Sequence, residues 1–160
     1  MIRPALPVDA PQIARIYNHY VERTVVTFEE QPVSNVEMAQ RIADVTASLP
    51  WLVFETDGAI VGYAYARSWH TRSAYRFSVE STIYLAPEFT GRGIGSELYR
   101  AIIVDLRARG LHCIVGGIAL PNEASVALHE KLGFEKIGHF KEVGWKLGRW
   151  VDVGYWELVL

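Results

Sequence analysis

The sequence predicts an α+β domain, a mixed sheet of six or seven strands with about four helices on its faces, and three observations carry that prediction. β-branched and aromatic runs of strand length alternate with stretches whose apolar residues recur at helical spacing. Thr56-Asp-Gly-Ala59 lies between two strand-like runs and reads as a tight hairpin turn, which makes that pair antiparallel. Further on, a glycine-rich turn joins a strand to a helix that another strand follows, a unit whose usual crossover is parallel.

Taken in order, Ile2 to Ala5 reads as a short first strand, and Asp9 within Pro7-Val-Asp-Ala-Pro11 is placed to cap a helix with Pro11 in its first turn. Ile13, Ile16, Tyr17 and Tyr20 mark that helix's apolar face. After Thr24 to Phe28 and the polar stretch Glu29-Glu-Gln-Pro32, Ser34 caps a second helix to about Ala47, with Val36, Met38, Ile42 and Val45 on its apolar side. Pro50 to Glu55 and Ile60 to Arg67 are the hairpin strands. A polar, aromatic-rich loop from Ser68 to Arg76 leads into a strand from Phe77 to Ala86, the glycine turn, and a helix that Gly110 ends near Arg109. Leu111 to Ala119 is a continuous apolar strand, expected to be buried on both faces. Pro121-Asn122 opens a helix to Leu132, closed by Gly133. Phe134 to Phe140 and Val151 to Val159 are the last strands, with Gly144 to Gly148 in the connection.

Length and composition bound the possibilities. The chain has 160 residues, half of them hydrophobic, enough for one domain with one core and with no repeats or linkers, so a single domain over 1–160 is expected. A formal charge of −2 without a basic stripe argues against a nucleic-acid partner. One cysteine, Cys113, allows neither an internal disulfide nor a multi-cysteine metal site, and no metal is expected. The first residues lack a signal peptide's apolar region and no stretch is long enough to cross a bilayer, so no membrane association and a cytoplasmic location are expected.

Phe89-Thr-Gly-Arg-Gly-Ile-Gly-Ser-Glu-Leu-Tyr99 organises the rest. A helix start exposes unpaired N–H groups and the positive end of the helix dipole, and Gly91, Gly93 and Gly95 leave those groups open to a phosphate. Neither a P-loop nor a dinucleotide fingerprint fits the spacing. The glycines alone fit a phosphate-holding turn and a plain chain reversal equally well.

Glu80 is the second signal, because Ser78-Val-Glu-Ser-Thr-Ile-Tyr84 is otherwise a strand without charge, where an unpaired carboxylate is costly to bury. Either it has a chemical role, or it forms an ion pair with Arg72 or Arg76.

This element order, with Gly91-Arg-Gly-Ile-Gly95 after the fourth strand and Asn122 and His129-Glu-Lys-Leu-Gly-Phe134 after the fifth, resembles the Gcn5-related N-acetyltransferase (GNAT) superfamily over nearly the whole chain. Pro50-Trp-Leu-Val, Val79-Glu-Ser-Thr-Ile-Tyr84, Leu120-Pro-Asn-Glu-Ala-Ser-Val126, Leu128-His-Glu and Asp152-Val-Gly-Tyr-Trp156 resemble its phosphinothricin and methionine sulfone/sulfoximine N-acetyltransferase group more closely. Thr90 stands where the superfamily usually has Gln or Arg, and His70 where the group has Lys.

The resemblance implies a mostly antiparallel sheet and acetyl-CoA as co-substrate. It implies a phosphate loop of Gly91, Arg92, Gly93, Ile94, Gly95 and Ser96, and pantetheine contacts from Ile83, Tyr84, Leu85, Asn122 and Ser125. Glu80 is the implied base, acting directly or through water, and His129 is the second catalytic candidate: it stands where many members place a tyrosine that protonates the thiolate, and an imidazole is able to take that role or to assist the base. Phe28, Arg72, Tyr75, Arg76 and Phe77 are the implied substrate contacts, since guanidinium forks match a carboxylate or phosphinate. The implied activity is direct transfer of acetyl to the α-amine of phosphinothricin, methionine sulfoximine or methionine sulfone, in a homodimer whose interface the surplus aromatics Trp145, Trp150, Tyr155 and Trp156 suggest. Rivals are an acetyltransferase for a polyamine or a protein N-terminus, and a non-catalytic acyl-CoA sensor.

Overall fold

Asp57 and Gly58 take positive φ of 50° and 74°, the twist that a two-residue hairpin requires. They join β2 (Trp51–Thr56) to β3 (Ala59–Ser68), and in the computed structural model, which describes residues 1–160, this hairpin is the middle of one half of the sheet. β1 (Ile2–Pro4) pairs outside β2, and β4 (Ser78–Leu85) inside β3. The other half holds β5 (Cys113–Leu120), β6 (Glu135–Lys146) and β7 (Arg149–Val159). The seven strands run in the order β1-β2-β3-β4-β5-β7-β6, and only β4 and β5 are parallel. Mixed, mostly antiparallel pairing is therefore as the sequence led us to expect.

The period of two along the strands divides the core between the two faces. Val53, Tyr63 and Tyr84 meet α1 (Ala10–Arg23) and α2 (Asn35–Thr46) through Ile13, Tyr17, Met38 and Ile42. Leu52, Ala64, Val79 and Ile114 meet α3 (Ile94–Ala108) through Leu98, Ile102 and Leu106. The short α4 (Glu123–Lys131) closes the α3 face beside β5. Ser34 caps α2 by accepting from the Glu37 N–H at 3.1 Å, while Val36 turns out to solvent instead of joining the apolar side.

Three further expectations need correction. Asp9 does not cap α1 with its side chain. Its carboxylate accepts from the two terminal Arg3 nitrogens at 2.8 and 2.9 Å and from the Leu6 N–H at 2.8 Å, because charge-assisted bonds outweigh one cap. β6 does not stop at Phe140 but passes through a bulge, with Glu142 at φ 50°, and continues to Lys146. The bulge hides that strand from any alternation pattern. Trp156 is core, 2% exposed, with its indole N–H donated to Glu130 at 3.2 Å, whereas Trp145 and Trp150 project from the β6–β7 hairpin.

Candidate active site

The parallel pairing of β4 and β5 lasts only from Ser78/Cys113 to Glu80/Val115. Beyond it β4 stays with β3 as far as Leu85, while Gly116 to Leu120 leave with β7. The strands part into a wedge whose facing backbone edges are unpaired with each other. A cleft of about 740 Å³ runs through the wedge, lined by Ile83, Tyr84, Ile118 and Ala119 on its edges and by Asn122, Ser125 and His129 on the α4 side. Such open edges suit an extended chain bearing amides.

Two consecutive glycines make room at the wedge's apex. A Cβ on Gly116 would stand 2.7 Å from His129 Nε2, and one on Gly117 would stand 3.2 Å from the Tyr155 ring and 3.6 Å from Glu80 Oε1. Successive strand residues face opposite sides, so His129 and Glu80 approach the apex from opposite faces of the sheet. The Gly-Gly pair was the signal for close approach within an otherwise apolar strand.

Glu80 lines the cleft at its apex, and its partner is neither Arg72 nor Arg76. Arg67, directly across the β3–β4 ladder, donates to Glu80 Oε2 from Nε at 2.8 Å and Nη2 at 2.6 Å. The cross-strand register selects this arginine, and register is not legible from spacing alone.

On the other face a polar chain crosses the core. His129 Nδ1 lies 2.7 Å from the Ser125 carbonyl, which can only accept, so the ring proton sits on Nδ1. Nε2 then accepts from Tyr99 Oη at 2.9 Å, and Tyr99 accepts from Ser81 Oγ at 2.5 Å. Burial pushes the imidazole pKa below its ordinary value and raises that of the Tyr99 phenol. His129 is thus a neutral, buried acceptor at the end of a hydroxyl chain. Tyr99 and Ser81 lie within stretches that the sequence singles out, but nothing in the sequence assigns either a role.

Asn122 caps α4 through its side-chain oxygen, which accepts from the Ser125 N–H at 3.1 Å, leaving its NH₂ group for the cleft. Leu85 is partly committed, since Tyr20 Oη donates to its carbonyl at 2.6 Å. The glycine loop sits at the wedge's outer end, where a Cβ on Gly95 would lie 3.5 Å from both Leu85 and Leu128. Gly93 has φ 84° and caps α3 without a side chain, so the first N–H groups of Ile94, Gly95 and Ser96 stay open to an anion. Arg92 lies over the Phe89 ring at 4.9 Å. These features fit the phosphates of acetyl-CoA, and the wedge fits its amide-bearing arm.

The expected substrate residues are not gathered in one place. Phe28 lines the cleft. Arg72 and Tyr75 border a separate depression of about 290 Å³ with His70 and Thr71, and Arg76 stacks on Phe77 at 4.5 Å outside both. The cleft instead recruits Arg67, Arg41, Glu29 and a group of aromatic residues that includes Trp51 and Tyr65.

The chain is similar to known proteins along almost its whole length. The acetyltransferase (GNAT) domain family matches residues 2–154. A phosphinothricin N-acetyltransferase of Streptomyces viridochromogenes is 39% identical over 98% of this chain and 85% of its own. An L-methionine sulfoximine/L-methionine sulfone acetyltransferase of Salmonella typhimurium is 35% identical over 99% and 94%. Among solved structures, a GNAT superfamily phosphinothricin acetyltransferase from Sinorhizobium meliloti in complex with acetyl-CoA superimposes with a TM-score of 0.96 at 40% identity, covering 100% of this chain and 88% of that one.

Proposed function

We propose how this chain, which belongs to the GNAT acetyltransferase family and is an acetyl-CoA-dependent N-acetyltransferase, uses its cleft: it acetylates the α-amine of a small amino-acid-like molecule of the phosphinothricin, methionine sulfoximine and methionine sulfone class. The observation that carries this reading is Glu80, held by Arg67 at the apex of the wedge with Gly117 clearing the space beside it.

An α-ammonium must lose a proton before it can attack. Glu80 takes that proton, directly or through one water. The amine then attacks the thioester carbonyl carbon, the C–N bond forms, and the C–S bond breaks. The second proton from nitrogen ends on the departing sulfur, and Glu80 returns its own to solvent. The α3 amides and Arg92 hold the phosphates of acetyl-CoA, and the wedge edges at Ile83 and Tyr84, with Asn122, hold its arm. His129, whose only proton faces Ser125, orients the Tyr99–Ser81 hydroxyls rather than delivering a proton to sulfur. Direct transfer is favoured over an acyl-enzyme, because burial raises the Cys113 thiol to about 11 and it lies outside the cleft.

The test is free-thiol release from acetyl-CoA with phosphinothricin, methionine sulfone, spermidine and a short peptide, for the wild type and Glu80→Gln. We expect turnover on the first two and a fall in kcat of about a hundredfold or more in the variant, with acetyl-CoA affinity retained. Equal turnover in the variant would remove Glu80 as base. Turnover confined to spermidine or the peptide would overturn the substrate class.

We further infer a cytoplasmic protein, in keeping with its single free thiol, and a homodimer. Trp145 and Trp150 are 55% and 59% exposed and pack edge to face on each other, beside exposed Val143 and Leu147. Sedimentation of the wild type against a Trp145→Ser/Trp150→Ser variant decides the second point: a mass that does not fall in the variant rules this surface out.

A further inference from the structure

Tyr155 of β7 lines the cleft, although the sequence groups it with the aromatics of a subunit interface. It stands opposite Gly117 in the β5–β7 ladder, and Glu80 stands opposite Val115 where β4 and β5 are still paired. Residues two apart on a strand share a face, so Tyr155 and Glu80 reach toward the apex from the same side of the sheet. Gly117, having no side chain, leaves the space between them open. The Cβ it lacks would lie 3.2 Å from Tyr155 Cε1, 3.6 Å from Glu80 Oε1 and 3.7 Å from Tyr155 Cδ1, and no other side chain comes nearer to that point.

The ring of Tyr155 is held, and its hydroxyl is free. Trp69 and Phe140 meet the ring edge to face, with centroids 5.9 and 5.7 Å away. Unlike the hydroxyls of Tyr17, Tyr20 and Tyr99, which are bonded to protein groups, that of Tyr155 takes no partner within the protein and is not sealed from solvent. Burial and the Glu80 charge raise its pKa above the ordinary 10, against a smaller lowering by Arg67. The hydroxyl thus lies in the field of the Arg67–Glu80 pair and keeps its proton at neutral pH. His129 offers no such proton, because its own is committed to the Ser125 carbonyl on the other face.

We propose that Tyr155 is a further catalytic residue, whose hydroxyl carries the second proton of the attacking nitrogen to the departing sulfur. The proposal rests on the reading of Glu80 as the base in this cleft. An amine that enters over Gly117 has the carboxylate on one side and the phenol on the other. Glu80 removes the first proton before attack. Once the C–N bond has formed the nitrogen is again positively charged, and Tyr155 Oη accepts a hydrogen bond from its N–H. As the C–S bond breaks, the phenol proton passes to sulfur and the nitrogen proton passes to Oη. Tyr155 ends as it began, and an amide and a thiol leave. Donation by the phenol alone would be uphill, since a phenol is a weaker acid than a thiol. The simultaneous gain of the nitrogen's proton offsets that cost.

The test is Tyr155→Phe, which keeps the ring between Trp69 and Phe140 and removes only a hydroxyl that no protein group holds, so the variant should melt with the wild type. Thiol release from acetyl-CoA with L-methionine sulfone or phosphinothricin is followed at steady state and in single turnover, where product release does not contribute. The single-turnover rate should fall about ten- to a hundredfold, less than in Glu80→Gln, because a thiolate is already a fair leaving group. Both KM values should stay within about twofold of the wild type. An unchanged single-turnover rate overturns the proposal, and so does a loss confined to KM for the amine, which would make Tyr155 a binding group. Absence of thiol release by the wild type while acetyl-CoA still binds by calorimetry, or an unchanged rate in Glu80→Gln, would overturn the underlying reading and the relay with it.

Discussion

The Nε2–Cδ2 edge of the His129 imidazole lies against Gly116, so close that a methyl group there would stand 2.7 Å from Nε2 and 2.9 Å from Cδ2. The same nitrogen accepts from Tyr99, which leaves the ring no freedom to withdraw without breaking that bond. Gly116→Ala should therefore cost about 1–3 kcal/mol, the usual range for overpacking a filled core. Urea unfolding measures it. A cost below about 0.5 kcal/mol would show that the ring can move aside, since distant surface changes fall in that range.

Burial also links His129 to the pH dependence of stability. Its folded pKa lies below the ordinary 6.5, so in this window the unfolded chain binds more protons than the native one, and stability rises with pH. The contribution is complete above the unfolded value and declines as pH falls from there toward the folded pKa. Thermal midpoints between pH 7.5 and 5 should drop less steeply in His129→Gln than in the wild type. Parallel slopes would assign the loss to other groups.

At the glycine loop, Gly93 holds φ 84° at the start of α3, a conformation that costs an L-residue about 1–2 kcal/mol. A side chain there also intrudes on the open amides. Gly93→Val should weaken acetyl-CoA binding by about tenfold or more, against a stability loss of about 2 kcal/mol or less. Calorimetric titration with acetyl-CoA reads the first and urea unfolding the second. Retained affinity would mean that the loop does not carry the phosphates.

Lys146 is 2% exposed on β6 and donates to the Thr27 carbonyl at 2.7 Å and the Tyr20 carbonyl at 3.4 Å. It ties the segment bearing Phe28, a wall of the cleft, to the β6–β7 hairpin, and Phe28 itself lies where a Cβ on Gly144 would fall. Lys146→Met should raise KM for the amine several-fold and leave KM for acetyl-CoA near the wild-type value, because only the amine side loses its support. An equal rise in both constants would mark a general loosening of the fold.

How far the site could be read in advance differs from residue to residue. Glu80, Asn122 and the glycine turn stood out because each breaks a local pattern: a charge within an uncharged strand, a polar cap, a run of glycines between strand and helix, whereas His129, a lone histidine on a helix, stood out only through the resemblance to the GNAT superfamily. Arg67, Tyr99 and Trp51 break none. An arginine near a strand end, a tyrosine on a helix and a tryptophan at a strand start are ordinary residues until their neighbours are known. Arg72, Tyr75, Arg76 and Phe77 show the converse, being close to Glu80 in sequence yet outside the cleft that holds it.

The sequence by itself determined the element order, the hairpin, the mixed sheet and the placement of glycines before α3, because these follow from local periodicity and turn chemistry. The tertiary structure alone decided which arginine holds Glu80, which hydroxyls reach His129, and that β4 and β5 part after Glu80. Those depend on strand register and on which faces meet, and a pairing shifted by one residue would turn every side chain in it to the opposite face.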